Sequence, residues 1–293
     1  MDYLTDLAYR NFDMTRNGMT NTEGISAPMT ICIGTICDRS RKAIAISDRM
    51  VTAGDLSVAF EHDVPKTEHL FPNCVALTAG PALPHRDLFR KVSSEIHAKA
   101  MPPISEIAEK VKEKYAEMRR SRVEDEHFKI RGFTVKDFYE NQRRFDPDVV
   151  ARLETAIEDY IFNLHVMLLG VDPMGAHIYY IYPPGSGECF DTMGYCSMGT
   201  GDRHSDTTFV AYKYTPNFAF KKALYISYEA KKRAEIAAGV GKSTDIAIVD
   251  ENGIVDVPEN VIKELQNIYE KKIELATLRN TEIEKAIDSL QVE

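Results

Sequence analysis

Three residues of this chain combine reactive side chains with a spacing that could bring them together: Thr30, Asp48 and Lys66. Each stands at the end of a short apolar run. MTICIGTIC (29–37) and AIAISD (43–48) are rich in β-branched residues and flank the charged turn DRSRK (38–42), which reads as a hairpin. KTEHL (66–70) and CVALTAG (74–80) flank Phe71-Pro72-Asn73 and read as a second pair of strands. On this reading Thr30 begins the first strand, Asp48 ends the second and Lys66 begins the third. Strand ends hold side chains more firmly than loops do. A threonine hydroxyl is a poor nucleophile until a base takes its proton, and the residue's own α-amino group serves when it is free. That amine titrates near ~8, close to neutral pH. An ammonium beside it would help keep the amine neutral and stabilise charge on the oxygen, and a carboxylate would hold the ammonium in place. Gly80, in TAG (78–80), offers a backbone N–H to a developing oxyanion. The same side chains could equally cap strand ends, and spacing alone leaves both readings open.

The order of these residues resembles the start of a proteasome β-type subunit, in the N-terminal-nucleophile (Ntn) hydrolase superfamily. In that resemblance Thr30 takes the nucleophile position, Asp48 and Lys66 the acidic and lysine positions, and Gly80 the oxyanion glycine. The fourteen-residue interval from Lys66 to Gly80 fits without a gap, while the first hairpin turn is slightly long. HVMLLGVDPMGAHIYYIYPPG (165–185) resembles the family's central hairpin. CSMGTGDRHS (196–205) resembles its Gly-Ser-Gly turn, with Thr200 on the serine position. The resemblance implies a four-layer αββα sandwich over 29–250, with a helical insertion at about 113–160 and a strand and helical extension over 251–293. It implies an active site of Thr30, Asp48, Lys66, Gly80 and Thr200. Thr52 is expected to bind substrate backbone. Val51, Val64, Glu68, Thr78 and Ala82 are expected to line the substrate side, with Glu68 favouring basic residues. Three departures stand out. Met29 stands where the family usually has glycine before the scissile bond, Arg49 falls one residue early, and Glu235 is the nearest carboxylate where an aspartate is expected.

Composition agrees with a folded globular chain and narrows its partners. Of the 293 residues 44% are hydrophobic and 28% charged. A net charge of −9 argues against a nucleic-acid partner. No apolar run approaches the ~20 residues needed to cross a bilayer. The five cysteines (32, 37, 74, 189, 196) show no ligand spacing. They read as small buried hydrophobes in a reducing cytoplasm. No metal and no cofactor are expected. AGVGKSTD (238–245) suggests a phosphate loop, but GxxxxGK[ST] would put its first glycine on Ile236. A helix also precedes this loop and a strand (244–249) follows, the reverse of the required order, so ATP binding is rejected.

Residues 1–28 are polar and carry no secretory pattern. For Thr30 to use its own amine, that nitrogen must be freed, by initiation at Met29 or by cleavage of the Met29–Thr30 bond. If the extension stays on, the chain is inactive.

Elsewhere the pattern is helical. Leu88, Phe89, Val92, Ile96 and Ala100 share one helix face, and Ile104, Ile107, Val111 and Tyr115 share another beyond Pro102-Pro103. From Glu113 to Asp148 the chain is densely charged, with helix starts at Thr134 and Asp146-Pro147. It reads as a solvated helical hairpin or as an element that gates entry. Val150, Leu153, Ile157 and Leu164 give the last helix there its buried stripe. Helices are expected over 207–214 and 218–238. The tail after Pro258 reads as one or two amphipathic helices on the chain's own surface or on a neighbouring subunit.

Together these point to a threonine-type peptidase acting on peptides or unfolded protein. The resemblance further implies a homo-oligomeric ring and an ATPase unfoldase as possible partner. The alternatives are a non-catalytic assembly subunit and an Ntn amidohydrolase acting on a small amide or in transpeptidation.

Overall fold

A computed structural model of the chain describes residues 28–53, 58–61, 65–81, 83–96 and 101–288. The expectations for 1–27, Val64, Ala82 and Ala100 fall outside the described residues.

The chain is α+β, with two antiparallel five-stranded sheets. Strands β1 (Cys32–Cys37) and β2 (Lys42–Ser47) form the first hairpin, followed by β3 (Met50–Ala53) and β4 (Val58–Glu61), then β5 (Thr67–Phe71) and β6 (Cys74–Ala79). Helices α1 (Pro84–Ile96) and α2 (Ile104–Val123) come next, and α3 (Val135–Asn141) and α4 (Pro147–Glu158) build the insertion. The central hairpin is β7 (His165–Asp172) and β8 (Gly175–Tyr182), with β9 (Ser186–Cys189) and β10 (Tyr195–Met198) after it. Helices α5 (Asp202–Ala211) and α6 (Phe220–Ala234), strands β11 (Asp245–Asp250) and β12 (Gly253–Asp256), and helix α7 (Glu259–Asp288) complete the chain. One sheet runs β10-β1-β2-β11-β12 and the other β5-β6-β7-β8-β9, while β3 and β4 make a separate ribbon.

Alternation of side chains sorts the core. Cys32, Ala43 and Ala45 of one sheet meet Val75, Leu77, Met167 and Leu169 of the other. Ile31, Ile33, Ile44 and Ile46 pack instead with Phe209, Leu224 and Ile226 of α5 and α6. On the far side Cys74, Ala76, Val166 and Leu168 pack under α1 and α2. A fully buried isoleucine contributes about 1.5–3 kcal/mol. Ile33 pairs Ile46 and Ile44 pairs Thr35 across the hairpin, so a one-residue slip would turn all these side chains to the wrong face.

Several sequence expectations need adjusting. Thr30 lies two residues before β1, Asp48 directly after β2 and Lys66 directly before β5, so each flanks its strand instead of belonging to it. The β3–β4 ribbon was not foreseen. Three successive residues of the first turn, Asp38, Arg39 and Ser40, have φ of 54–59°. Their N–H groups bond the Phe218 and Pro216 carbonyls, which holds the long turn in this left-handed conformation. The helices expected over 207–214 and 218–238 run from Asp202 to Ala211 and from Phe220 to Ala234. Leu164 is buried but follows α4 instead of lying on it.

The insertion has a core of its own. The α2 helix continues through a π-helical turn (124–128), and Phe128, Phe138, Val123 and Leu153 pack together. Thr134 and Asp137 form a capping box, and Asp146 caps α4 with Pro147 in its first turn. These caps explain why so charged a stretch stays helical.

Candidate functional site

The three strand-flanking residues converge. Thr30 Oγ donates to Asp48 Oδ1 at 2.5 Å. Lys66 Nζ donates to the same oxygen at 2.6 Å and also to Thr30 Oγ. The hydroxyl thus sits between an acceptor and a cationic donor. Asp48 is fully buried, Thr30 is 3% exposed and the Lys66 side chain 14% exposed. Burial weakens the competition from water and strengthens each of these contacts.

The two hairpins account for the convergence. The β1–β2 register places Cys32 opposite Ser47, and the next bond along, Asp48 N–H to the Ile31 carbonyl at 3.2 Å, sets Asp48 beside Thr30. Lys66 arrives from the start of β5 in the second sheet. Cys32, one strand position inward, donates its thiol to the Thr78 carbonyl at 3.7 Å and so links the two sheets. Burial pushes the Cys32 thiol up to about 12, so it stays protonated and is no rival nucleophile.

The other oxygen of Asp48 is also held. Oδ2 accepts from Gly241 N–H at 2.7 Å, in the loop that joins α6 to β11. Lys231 of α6 has no exposed side-chain surface and donates to the Gly241 carbonyl at 3.0 Å, the Lys242 carbonyl at 2.7 Å and Glu235 Oε1 at 2.5 Å. Glu61, at the end of β4, accepts from Lys242 N–H, from Ser243 N–H at 2.9 Å and from Ser243 Oγ at 2.5 Å. The Ser243 bonds hold the Glu61 carboxyl below the usual range. Arg49 reaches Asp245 of β11 through two nitrogens, Nε to Oδ2 at 2.9 Å and the second to Oδ1 at 2.6 Å. The early arginine therefore fastens the Asp48 strand end to its neighbour. Glu235 bonds Lys231 and Lys232 instead of reaching Thr30.

The chain ahead of Thr30 is also gripped. Thr200 N–H bonds the Pro28 carbonyl at 3.1 Å, and the Thr200 hydroxyl goes to the Ala238 carbonyl at 3.0 Å. Gly199, with φ of 109°, lies against the Thr30 carbonyl so closely that a Cβ there would collide with it. Gly239 lies as tightly against the Met29 side chain. Thr200 thus reaches this region through its backbone.

The remaining expected residues lie nearby along the elements. Gly80 is exposed, with φ of 112°, and its α-carbon packs on the Asn163 carbonyl. Thr78 is half-buried opposite Val166. Glu68 pairs Ala76 across β5–β6 and lies 4.0 Å from His85 Nε2; burial raises its carboxyl, partly offset by Arg86. Val51 and Thr52 sit on β3 opposite Phe60 and Ala59. Four cysteines are buried, but Cys189 is exposed, against expectation. Among the described residues no cluster of His, Cys, Asp and Glu could hold a metal ion, and no helix is long and apolar enough to cross a membrane.

Sequence reasoning missed Lys231, Gly241 and Glu61. One signal was available: Leu224, Ser227 and Lys231 recur at helical spacing, which puts a lysine on a buried stripe. No protein-family model matches the chain, and no curated protein does.

Proposed function

We propose that this chain is a threonine-type peptide hydrolase with an Ntn-type αββα sandwich and Thr30 as its nucleophile. The observation that carries the reading is the buried contact of one hydroxyl with both Asp48 and Lys66. Strand-end capping would not require a lysine from the second sheet to meet a threonine of the first. In the proposed reaction Thr30 Oγ forms a bond to the scissile carbonyl carbon while its proton passes to the Thr30 amine, directly or through a water. Lys66 stabilises the charge on the attacking oxygen and Asp48 fixes Lys66. The carbonyl oxygen takes up the electron pair, steadied by the Gly80 N–H. Collapse of this intermediate breaks the C–N bond, and the leaving amine takes the proton back. Water then attacks the threonyl ester, releasing the acid and restoring the hydroxyl.

This chemistry needs a free Thr30 amine. The test is to prepare the chain with Thr30 as its first residue and assay basic and apolar fluorogenic peptides beside the full chain. Hydrolysis that is abolished in Thr30→Ala, with a peptide-epoxyketone adduct spanning amine and hydroxyl, is the expected result. Absence of both turnover and adduct overturns the reading.

A second reading, a non-catalytic assembly subunit, is favoured by one observation: the segment ahead of Thr30 is held, with Pro28 bonded by Thr200 N–H, Met29 packed on Gly239 and the Thr30 carbonyl packed on Gly199. N-terminal sequencing of the natural protein separates the two, a start at Thr30 favouring the enzyme and retention of Met29 the scaffold.

A further inference from the structure

The most deeply buried cation among the described residues takes no part in the proposed reaction. Lys231 sits on α6 with its side chain wholly enclosed, and its hydrogen bonds go to groups other than Asp48, whose charge it faces. Its ammonium spends two of its three protons on successive carbonyls, those of Gly241 and Lys242, and the third on Glu235. The N–H groups of that same loop point the other way. Gly241 N–H goes to Asp48 Oδ2, and Lys242 and Ser243 N–H go to Glu61. The loop is therefore clamped from both sides, carbonyls on a cation and amides on two carboxylates. A buried lysine that has lost its hydration stays charged only where such acceptors replace water.

We propose that Lys231 is a positioning residue, which locks the 238–244 loop so that Gly241 N–H holds Asp48 with its other oxygen turned to Thr30 and Lys66. The proposal rests on reading Thr30 as the reacting group. It explains why the loop resembles a phosphate-binding sequence without being one. Its glycines let the backbone approach closely: a Cβ at Gly241 would press on Glu61 Oε1 at 2.8 Å and on the Met50 nitrogen at 3.2 Å. A carboxylate free to rotate would offer Lys66 a moving partner, and misplacement on the ångström scale is enough to slow a reaction greatly.

The charged groups facing Lys231 are Glu235 and Lys232 on its own helix, Asp48 beyond β2 and Glu61 on β4. Burial, the dominant influence, moves the ammonium below its usual range, and Glu235 opposes it. Exchange of this lysine for a neutral residue therefore removes a positive charge from beside Asp48 and Glu61.

The experiment has two arms. In the first, amide hydrogen exchange is followed across 239–244 in the full-length protein and in Lys231→Met. At least about tenfold faster exchange is expected there, with β11 unchanged; equal exchange overturns the proposal. In the second, peptide hydrolysis is measured on the form that begins at Thr30. Lys231→Met is expected to lower kcat about tenfold or more with KM within twofold, and to move the acid limb of the pH profile upward. A merely structural lysine would lower the melting temperature without moving that limb, and an unmoved kcat and limb overturn the proposal. If the wild type hydrolyses nothing, the peptidase reading falls and the exchange arm alone decides the clamp. Lys231→Gln, which keeps a donor without the charge, is the second variant. Should neither variant fold, wild-type exchange at Gly241 decides: strong protection supports the clamp, and exchange at the rate of a free peptide overturns it.

Discussion

At the scale of single residues, the site is one hydroxyl shared by a carboxylate and an ammonium. Asp48 has no exposed surface and three donors on two oxygens: Thr30, Lys66 and Gly241. Removing Lys66 leaves a fully buried carboxylate with neutral donors only. Breaking a buried pair by deleting one partner typically costs 3–5 kcal/mol. Lys66 keeps some contact with solvent, so about 3 kcal/mol is expected for Lys66→Met by chemical denaturation. On the proposed peptidase reading, hydrolysis by the form beginning at Thr30 should fall by about 10²–10³ in the same variant, since that reading makes Lys66 the stabiliser of the developing charge. Unchanged denaturation together with unchanged turnover would mean that the lysine neither pairs with Asp48 nor assists Thr30. Thr30, Asp48 and Lys66 stood out in the sequence as reactive side chains near strand ends, but spacing alone left capping open and it was the resemblance to a proteasome β-type subunit that grouped them. Lys231 was not legible as a partner of Asp48. Its spacing from Leu224 and Ser227 marks a buried stripe, but nothing along the helix shows which loop or carboxylate a lysine there would meet.

At the scale of elements, the β7–β8 hairpin carries two histidines with opposite responses to pH. His165 pairs Ala79 across the sheet, directly beside Gly80, and bonds Tyr180 Oη at 2.7 Å and Asn163 Oδ1 at 3.1 Å. Burial pushes its imidazole down from 6.5 to about 4. The unfolded chain therefore binds a proton at His165 before the folded one does. Stability from this group is complete above pH 6.5 and is lost as pH falls from there toward 4, by about 3 kcal/mol. His177 lies between Asp191 at 2.6 Å and Asp172 at 3.1 Å, and the Asp191 hydrogen bond leads in raising its imidazole. Its stabilisation is complete below 6.5 and fades as pH rises through the raised folded value. Between pH 7 and 4.5, His165→Gln should lose less stability than wild type, and His177→Gln should lose more. Parallel melting curves for all three proteins would contradict both assignments. The hairpin itself was expected from the resemblance of HVMLLGVDPMGAHIYYIYPPG (165–185) to a proteasome β-type central hairpin, but which polar residues its faces bury depends on the sheet opposite. The β3–β4 ribbon escaped for a different reason: four-residue strands outside both sheets leave almost no periodic signal.

At the scale of the whole molecule, two additions flank the layered core, and they differ in how they are held. The insertion closes over its own aromatic cluster, with Phe128 and Phe138 at 5.5 Å and Phe128 and Phe133 at 5.7 Å. The stripe of Val150, Leu153 and Ile157 on α4 showed one wall of that core, but charge density hid its partners Val123, Phe128 and Phe138, which are too widely spaced to make a stripe of their own. The long helix α7 divides instead along its length. Its first half packs on α6, with Leu265 buried, Ile262 and Tyr269 beside it, and Tyr228 Oη bonded to Gln266 at 2.6 Å. Lys272 ends this half by meeting Glu229, whose side chain is wholly buried, at 2.6 Å. Beyond it Ile273, Leu275, Leu278, Ile283 and Ile287 are 45–61% exposed. The two halves should therefore contribute very differently. Ending the chain after Glu274 removes Leu275, Leu278, Ile283 and Ile287, which bury little, and the melting temperature should stay within about 2 °C. Ending it after Pro258 strips the buried Leu265, at about 1.5–3 kcal/mol, together with the partly buried Ile262 and Tyr269, and takes away one of the cations facing buried Glu229. That loss corresponds to a fall of roughly 10–20 °C for a domain of this size. Lys272→Met in the otherwise intact chain isolates the Glu229 contribution and should account for only part of the fall. If the shorter truncation proved as damaging as the longer one, stability would reside in the exposed half of α7, contrary to the packing seen along it.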